Sequence, residues 1–277
     1  MAGLVRLVHP FPSLLDAGVA AVLTAVAGGT AETALRLAGS MFALQSAIGT
    51  LNDLVDEPRD RLAKPAKPIP SGDVGRGRAR GVLIVLAAAG LGLAAMSGPW
   101  VVTIALLGLA IGVAYDLRLK GTVWSWLPFA LGVPLLPVFA WVGDTGRLPP
   151  AFALILPAGV AAGASLAVAN LLADIDRDRS IGVETLATRL GQTVAWRVGA
   201  ILAGAVIAAA LGSLVVLGGA RLGIVVSAMG GILVAGGVAL GRQASATRRE
   251  RGWELQAIGV AVLAAGWVAA LAGTAAI

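Results

Sequence analysis

Asn52, Asp56 and Asp60 lie in NDLVDEPRD, and Asn170, Asp174 and Asp178 lie in NLLADIDRD, so one spacing, N-x-x-x-D-x-x-x-D, occurs twice. On a helix, residues i, i+4 and i+8 step by about 40° and rise about 6 Å each, which makes each set an oblique stripe of oxygen donors. Hard oxygens suit Mg2+, which keeps waters and takes one or two carboxylates together with substrate phosphates. Each stripe follows an apolar stretch, where an uncompensated carboxylate is costly. In a chain with 15 acidic residues, two matched clusters predict a site for divalent cations and, through them, phosphate. One stripe alone is readily explained as a solvated helix end; two of identical spacing are not. Asp53 and Asp176 fall off the stripes and are weaker candidates that would need the helix to unwind.

A phosphate site also needs protein cations. Lys64 and Lys67 follow the first stripe in RLAKPAKPIPSG, where Pro65, Pro68 and Pro70 stiffen the loop and Ser71-Gly72 ends it. Arg189 follows the second stripe in GVETLATRLG. The segment YDLRLKG adds Tyr115, the only tyrosine, and Lys120, five residues on. A lone tyrosine near a membrane is often an interfacial anchor, but these two residues also fit a phosphate-orienting role. Arg76, Arg78 and Arg80 are read as solvated loop charges outside the site. His9, the only histidine, reads as a cap or headgroup contact at the start of the first span. A single histidine argues against a His-rich metal site, and the absence of cysteine excludes thiol nucleophiles and disulfides. GRGR at 75–78 lacks the setting of a phosphate loop.

The elements that must position these residues are transmembrane helices. The chain has 277 residues, 58% hydrophobic and 13% charged, against about 25% charged in soluble domains. Apolar segments approach the roughly 20 residues that span a bilayer as helix, without the alternation of a β-barrel. The predicted fold is all-α: a polytopic membrane protein of about nine helices around a central lipid-accessible cavity, in one domain over 1–277. The segments run roughly 12–30, 34–52, 80–98, 100–117, 122–142, 151–173, 194–214, 219–240 and 255–275. Their Gly and Ala content suits close packing in lipid. Met41, Phe42, Trp100, Trp124 and Trp126 are large enough to shape a cavity, though core packing or interfacial anchoring is the better explanation of each. The start, MAGLVRLVHPFPSLLDAG, reads as a short tail leading into the first span rather than a removed signal peptide.

With nine spans, all Lys and Arg except Arg36, Arg147 and Arg221 fall on one side, which the positive-inside rule places in the cytoplasm. The expectation is a multi-pass protein of the plasma membrane with its N-terminus and both stripes cytoplasmic. The net charge of +6 then needs no nucleic acid, and nothing calls for an obligate protein partner.

These motifs resemble those of the UbiA superfamily of intramembrane prenyltransferases. NDLVDEPRD is similar to its first motif, NDxxDxxxD. KPIPSG is similar to the RPxxSG segment that follows, with Lys67 where arginine is common. DIDRDRSIGVETLATRLG is similar to the second motif, and Tyr115 and Lys120 match the YxxxxK loop. The resemblance implies that Asn52, Asp56, Asp60, Asp174 and Asp178 hold Mg2+ on a prenyl diphosphate. It implies that Lys67, Lys120, Tyr115 and Arg189 contact the diphosphate, with Lys64 and Asn170 as further substrate-binding candidates. The expected reaction is prenyl transfer to an aromatic or other small lipophilic acceptor within membrane lipid. Terpene cyclisation without an acceptor and phosphoribosyl transfer remain alternatives within the superfamily, and a small-molecule transporter is the alternative from another class.

Overall fold

The computed structural model describes residues 2–272 and 274. Helices are α1 (Ala2–Leu7), α2 (Pro10–Val26), α3 (Ala31–Ala63), α4 (Arg76–Ala95), α5 (Pro99–Ala114), α6 (Leu127–Thr145), α7 (Phe152–Ser180), α8 (Leu186–Leu190), α9 (Gln192–Leu217), α10 (Arg221–Gly241) and α11 (Ala246–Leu271). A single π-helical turn, Tyr115–Leu119, extends α5. No strand occurs among the described residues.

The nine expected segments map onto α2 to α7 and α9 to α11. Among the described residues, seven helices are long and apolar enough to cross a membrane. The first two expected spans differ from these. α2 is apolar but only 17 residues long. α3 has 33 residues and carries its apolar segment in its N-terminal half alone. At 1.5 Å per residue α3 is about 50 Å long, well beyond the roughly 30 Å of hydrocarbon. α7, with 29 residues, likewise outruns the bilayer. Both Asp motifs occupy the C-terminal surplus of these two long helices.

Local chemistry sets the helix ends. Proline stands in the first turn of α2 and α5, where its missing N–H costs nothing. Thr30 caps α3 by accepting from the N–H of Thr33. Pro58 inside α3 leaves the Leu54 carbonyl without its helical donor and weakens the ladder within the first motif.

The chain divides into two compact units. The first comprises Met1–Arg118 and Leu136–Arg147. One apolar cluster joins Leu37 and Leu44 of α3 to Ala94, Val101, Ala105 and Phe139. Another gathers Leu7, Leu54, Ile69, Val74 and Ala79, which fixes α1 and the proline-rich loop against the C-terminal part of α3. Between α2 and α3, the amide of Gln45 donates to Asp16, a polar pair inside an otherwise apolar contact.

The second unit comprises Leu119–Leu135 and Leu148–Ile277. Val168, Leu171, Leu172 and Ile175 of α7 pack with Ala187 and Ala195, tying α8 and α9 to the second motif. α10 and α11 meet along facing glycines seven residues apart, Gly223, Gly230 and Gly237 against Gly252, Gly259 and Gly266. A Cβ at Gly230 would lie 2.2 Å from the Leu263 nitrogen, and one at Gly259 2.5 Å from the Val234 nitrogen. Backbone rests on backbone along the whole contact, as small residues permit in lipid.

Candidate active site

In the first unit, the last turns of α3 and the loop after it form one ionic network. Lys67 Nζ donates to Asp53 Oδ1 at 2.8 Å and to Asp60 Oδ2 at 2.6 Å. His9 Nε2 lies 3.0 Å from the same Asp53 oxygen. Asp53 is 1% exposed and Asp60 is 6% exposed, so both carboxylates depend on these partners. Burial pushes the Lys67 ammonium down, but its bonds to Asp53 and Asp60 outweigh this and hold it above the ordinary lysine value. Turns from Lys64 to Lys67 and from Lys67 to Ser71, with Ile69 and Val74 buried beneath them, keep Lys67 in place.

Three expectations change here. Asp53, taken as an off-stripe residue, is the most enclosed acid of the motif. His9 stands at the N-cap of α2 but makes no side-chain cap; its ring turns to Asp53, on a left-handed backbone at φ 48°. Arg76, read as a solvated loop charge, pairs with buried Glu57, which also binds Arg61 at 2.7 Å.

Asn52, half-buried, donates from Nδ2 to Asp116 Oδ1 at 2.8 Å. Asp116 is buried in the π-helical turn, beside half-buried Tyr115. The first motif and the Tyr115 turn are thus bonded together through a residue the sequence did not single out. Asp56 is half-buried. Lys64 is exposed and closes α3 through its backbone N–H to the Asp60 carbonyl at 2.8 Å.

In the second unit, Asn170 and Asp174 are half-buried and Asp178 is buried on α7. Asp174 Oδ2 is 2.6 Å from Arg177 Nη2. Asp176, the other off-stripe acid, pairs with Arg249 of α11. After α7, Thr185 and Thr188 form a reciprocal capping box that starts α8, with Ala187 buried against α7. Arg189 is exposed in the last turn of α8, and Lys120 is half-buried in the loop before α6.

Among the described residues, no three acidic or histidine side chains meet in a ready-made cage. The rise along each stripe spreads its carboxylates, so each motif offers one or two to a given ion. That donor chemistry fits Mg2+, whose remaining positions go to waters and phosphate oxygens.

An all-helical membrane protein with two such motifs at helix ends defines the class. The model of the UbiA prenyltransferase family matches residues 14–258, and the chain belongs to that family. It is 30% identical to the digeranylgeranylglyceryl phosphate synthase of Methanoregula boonei over 68% of each chain. It is 31% identical to the chlorophyll synthase of Avena sativa over 53% of this chain and 42% of that protein. The chain thus spans less than half the length of the chlorophyll synthases it matches. Among solved structures, a UbiA homologue from Aeropyrum pernix K1 superposes with a TM-score of 0.73 at 20% identity, covering 91% of this chain and 96% of that one. A UbiA homologue from Archaeoglobus fulgidus bound to GPP and Mg2+ gives 0.70 at 19% identity, covering 94% and 99%. At these identities the superpositions establish the fold alone.

Proposed function

We propose that this protein is a Mg2+-dependent prenyltransferase that moves a prenyl group from its diphosphate to an aromatic or other small lipophilic acceptor inside the membrane. The observation that carries the reading is the pair of equally spaced aspartate motifs on the surplus ends of α3 and α7, in a chain of this family. The GPP and Mg2+ bound by the Archaeoglobus homologue support the donor and the metal.

In this reading Asn52, Asp56, Asp60, Asp174 and Asp178 hold the metal. Bound Mg2+ supplies charge neutralisation for the departing diphosphate. Lys67, Lys120, Tyr115 and Arg189 orient the diphosphate and stabilise the charge it gains, with Lys64 and Asn170 at the margins of the substrate. The C1–O bond breaks, the diphosphate keeps the electron pair, and an allylic cation remains. Apolar helix faces shield that cation from water. The acceptor then bonds to C1 and loses a proton. The charge asymmetry of the loops supports an N-terminus and active site on the cytoplasmic face of the cell membrane.

The test is diphosphate release from geranyl diphosphate by purified protein with Mg2+ and a panel of aromatic acceptors. Asp56→Ala and Asp174→Ala are expected to lower release at least a hundredfold while the protein stays folded. Wild-type rates in both variants would end this reading, and a cyclised product formed without acceptor would replace transfer by cyclisation.

A further inference from the structure

Arg249 lies in the first turn of α11, and its side chain is fully enclosed, at 0% exposure. A cation there opposes the helix dipole, so the stability of α11 does not account for it. Nor does a solvated loop charge, since burying a guanidinium requires that its donors be satisfied. Each of its three nitrogens has a partner: Nε donates to the Leu172 carbonyl at 2.7 Å, Nη1 to the carbonyls of Gln243, at 3.1 Å, and of Ala244, and Nη2 to Asp176 Oδ2.

Two of these contacts grip α7. Leu172 and Asp176 are one turn apart, so the guanidinium spans a single turn of that helix. Asp174 lies within the same turn, and Asp178 follows two residues after Asp176. At 100° per residue, Asp176 lies two residues from each of Asp174 and Asp178 and so points about 160° away from both. Arg249 therefore holds the back of the helix whose front carries both stripe acids. It is presented from a firm base, because the glycine contact with α10 begins one turn further on, at Gly252.

We propose that Arg249, through Leu172 and Asp176, is a positioning residue that sets the rotation and axial height of Asp174 and Asp178 toward the metal and the diphosphate. The inference rests on the reading of this chain as a prenyltransferase. It assigns to Asp176 the anchoring of its helix rather than a place among the metal ligands.

The experiment compares wild type, Arg249→Lys, Asp176→Ala and Arg248→Met in lipid nanodiscs. Mn2+ binding in the presence of geranyl diphosphate is followed by electron paramagnetic resonance, and amide hydrogen exchange is followed across 173–180. Arg249→Lys keeps a charge for Asp176 but lacks the fork that also reaches Leu172. Arg249→Lys and Asp176→Ala are expected to weaken Mn2+ binding at least fivefold and to speed exchange across 173–180. Arg248→Met, which removes the same charge one residue away, is expected to stay within twofold of wild type in both. Faster exchange with unchanged Mn2+ affinity would reduce Arg249 to a packing role and overturn the proposal. Equal weakening in Arg248→Met would overturn it too, by making the effect one of general charge. Should Arg249→Lys fail to fold, Asp176→Ala decides alone. Failure of wild type to bind Mn2+ with geranyl diphosphate would end the functional reading and this inference together; the preceding outcomes end the inference only.

Discussion

Lys67 Nζ sits 2.6 Å from Asp60 Oδ2, seven residues back along the chain, and the same ammonium satisfies buried Asp53. Removing one member of such a buried ionic group strands the others. Lys67→Met is expected to lower stability in detergent by about 3 kcal/mol, read from thermal or denaturant unfolding. Lys67→Arg keeps the charge between the two acids and is expected to recover most of that loss. Equal stability of Lys67→Met and wild type would show that the network contributes nothing.

Asn52 and Asp116 join the first motif to the π-helical turn. Asn52→Leu removes the donor from a buried carboxylate, a change that typically costs about 1–3 kcal/mol. Because the turn also carries Tyr115, Asp116→Ala is expected to reduce diphosphate release from geranyl diphosphate at least tenfold, measured by coupled phosphate detection. Asp116→Asn, which retains an oxygen toward Asn52, is expected to lie between Asp116→Ala and wild type.

Asp16 and Gln45 test whether a polar pair between two apolar helices acts as a unit. Gln45→Leu leaves the Asp16 carboxyl without its amide donor and is expected to destabilise by about 1–3 kcal/mol. The double variant Asp16→Leu with Gln45→Leu is expected to be more stable than Gln45→Leu alone. Strict additivity of the two single changes would argue that the pair is not coupled.

Glycine substitutions separate close packing from helix propensity. Gly230→Ala forces a Cβ onto the α11 backbone and is expected to cost about 1–3 kcal/mol. Gly204→Ala on α9 meets nothing within 4 Å and is expected to stabilise by up to about 1 kcal/mol. Melting curves of the two variants should therefore shift in opposite directions.

The stripes were readable because a helix turns i, i+4 and i+8 into neighbours by local geometry alone. Helix type was likewise readable from apolar length, and so were seven of the nine expected spans; the exceptions are α2, which is short, and α3, which carries an apolar half and a polar half. The partnerships among site residues were not readable. His9 reaches Asp53, Asn52 reaches Asp116 and Arg249 reaches Asp176 across tens of residues, and no periodicity encodes such meetings. Arg249 carries no signal of its own in the sequence, since a run of basic residues beside a span looks the same whether its members are solvated or enclosed. The lone histidine offered the one available signal, because a residue type used once invites the question of what it binds.

In the proposed function, the glycine contact between α10 and α11 also limits how a membrane-dissolved substrate can arrive. Along this contact the two backbones meet directly, and the side chains beside the glycines, such as Val234 and Leu263, are themselves buried in it. Parting the two backbones would mean giving up the whole interface at once. In the proposed function, lateral access for a prenyl tail therefore runs elsewhere than between α10 and α11.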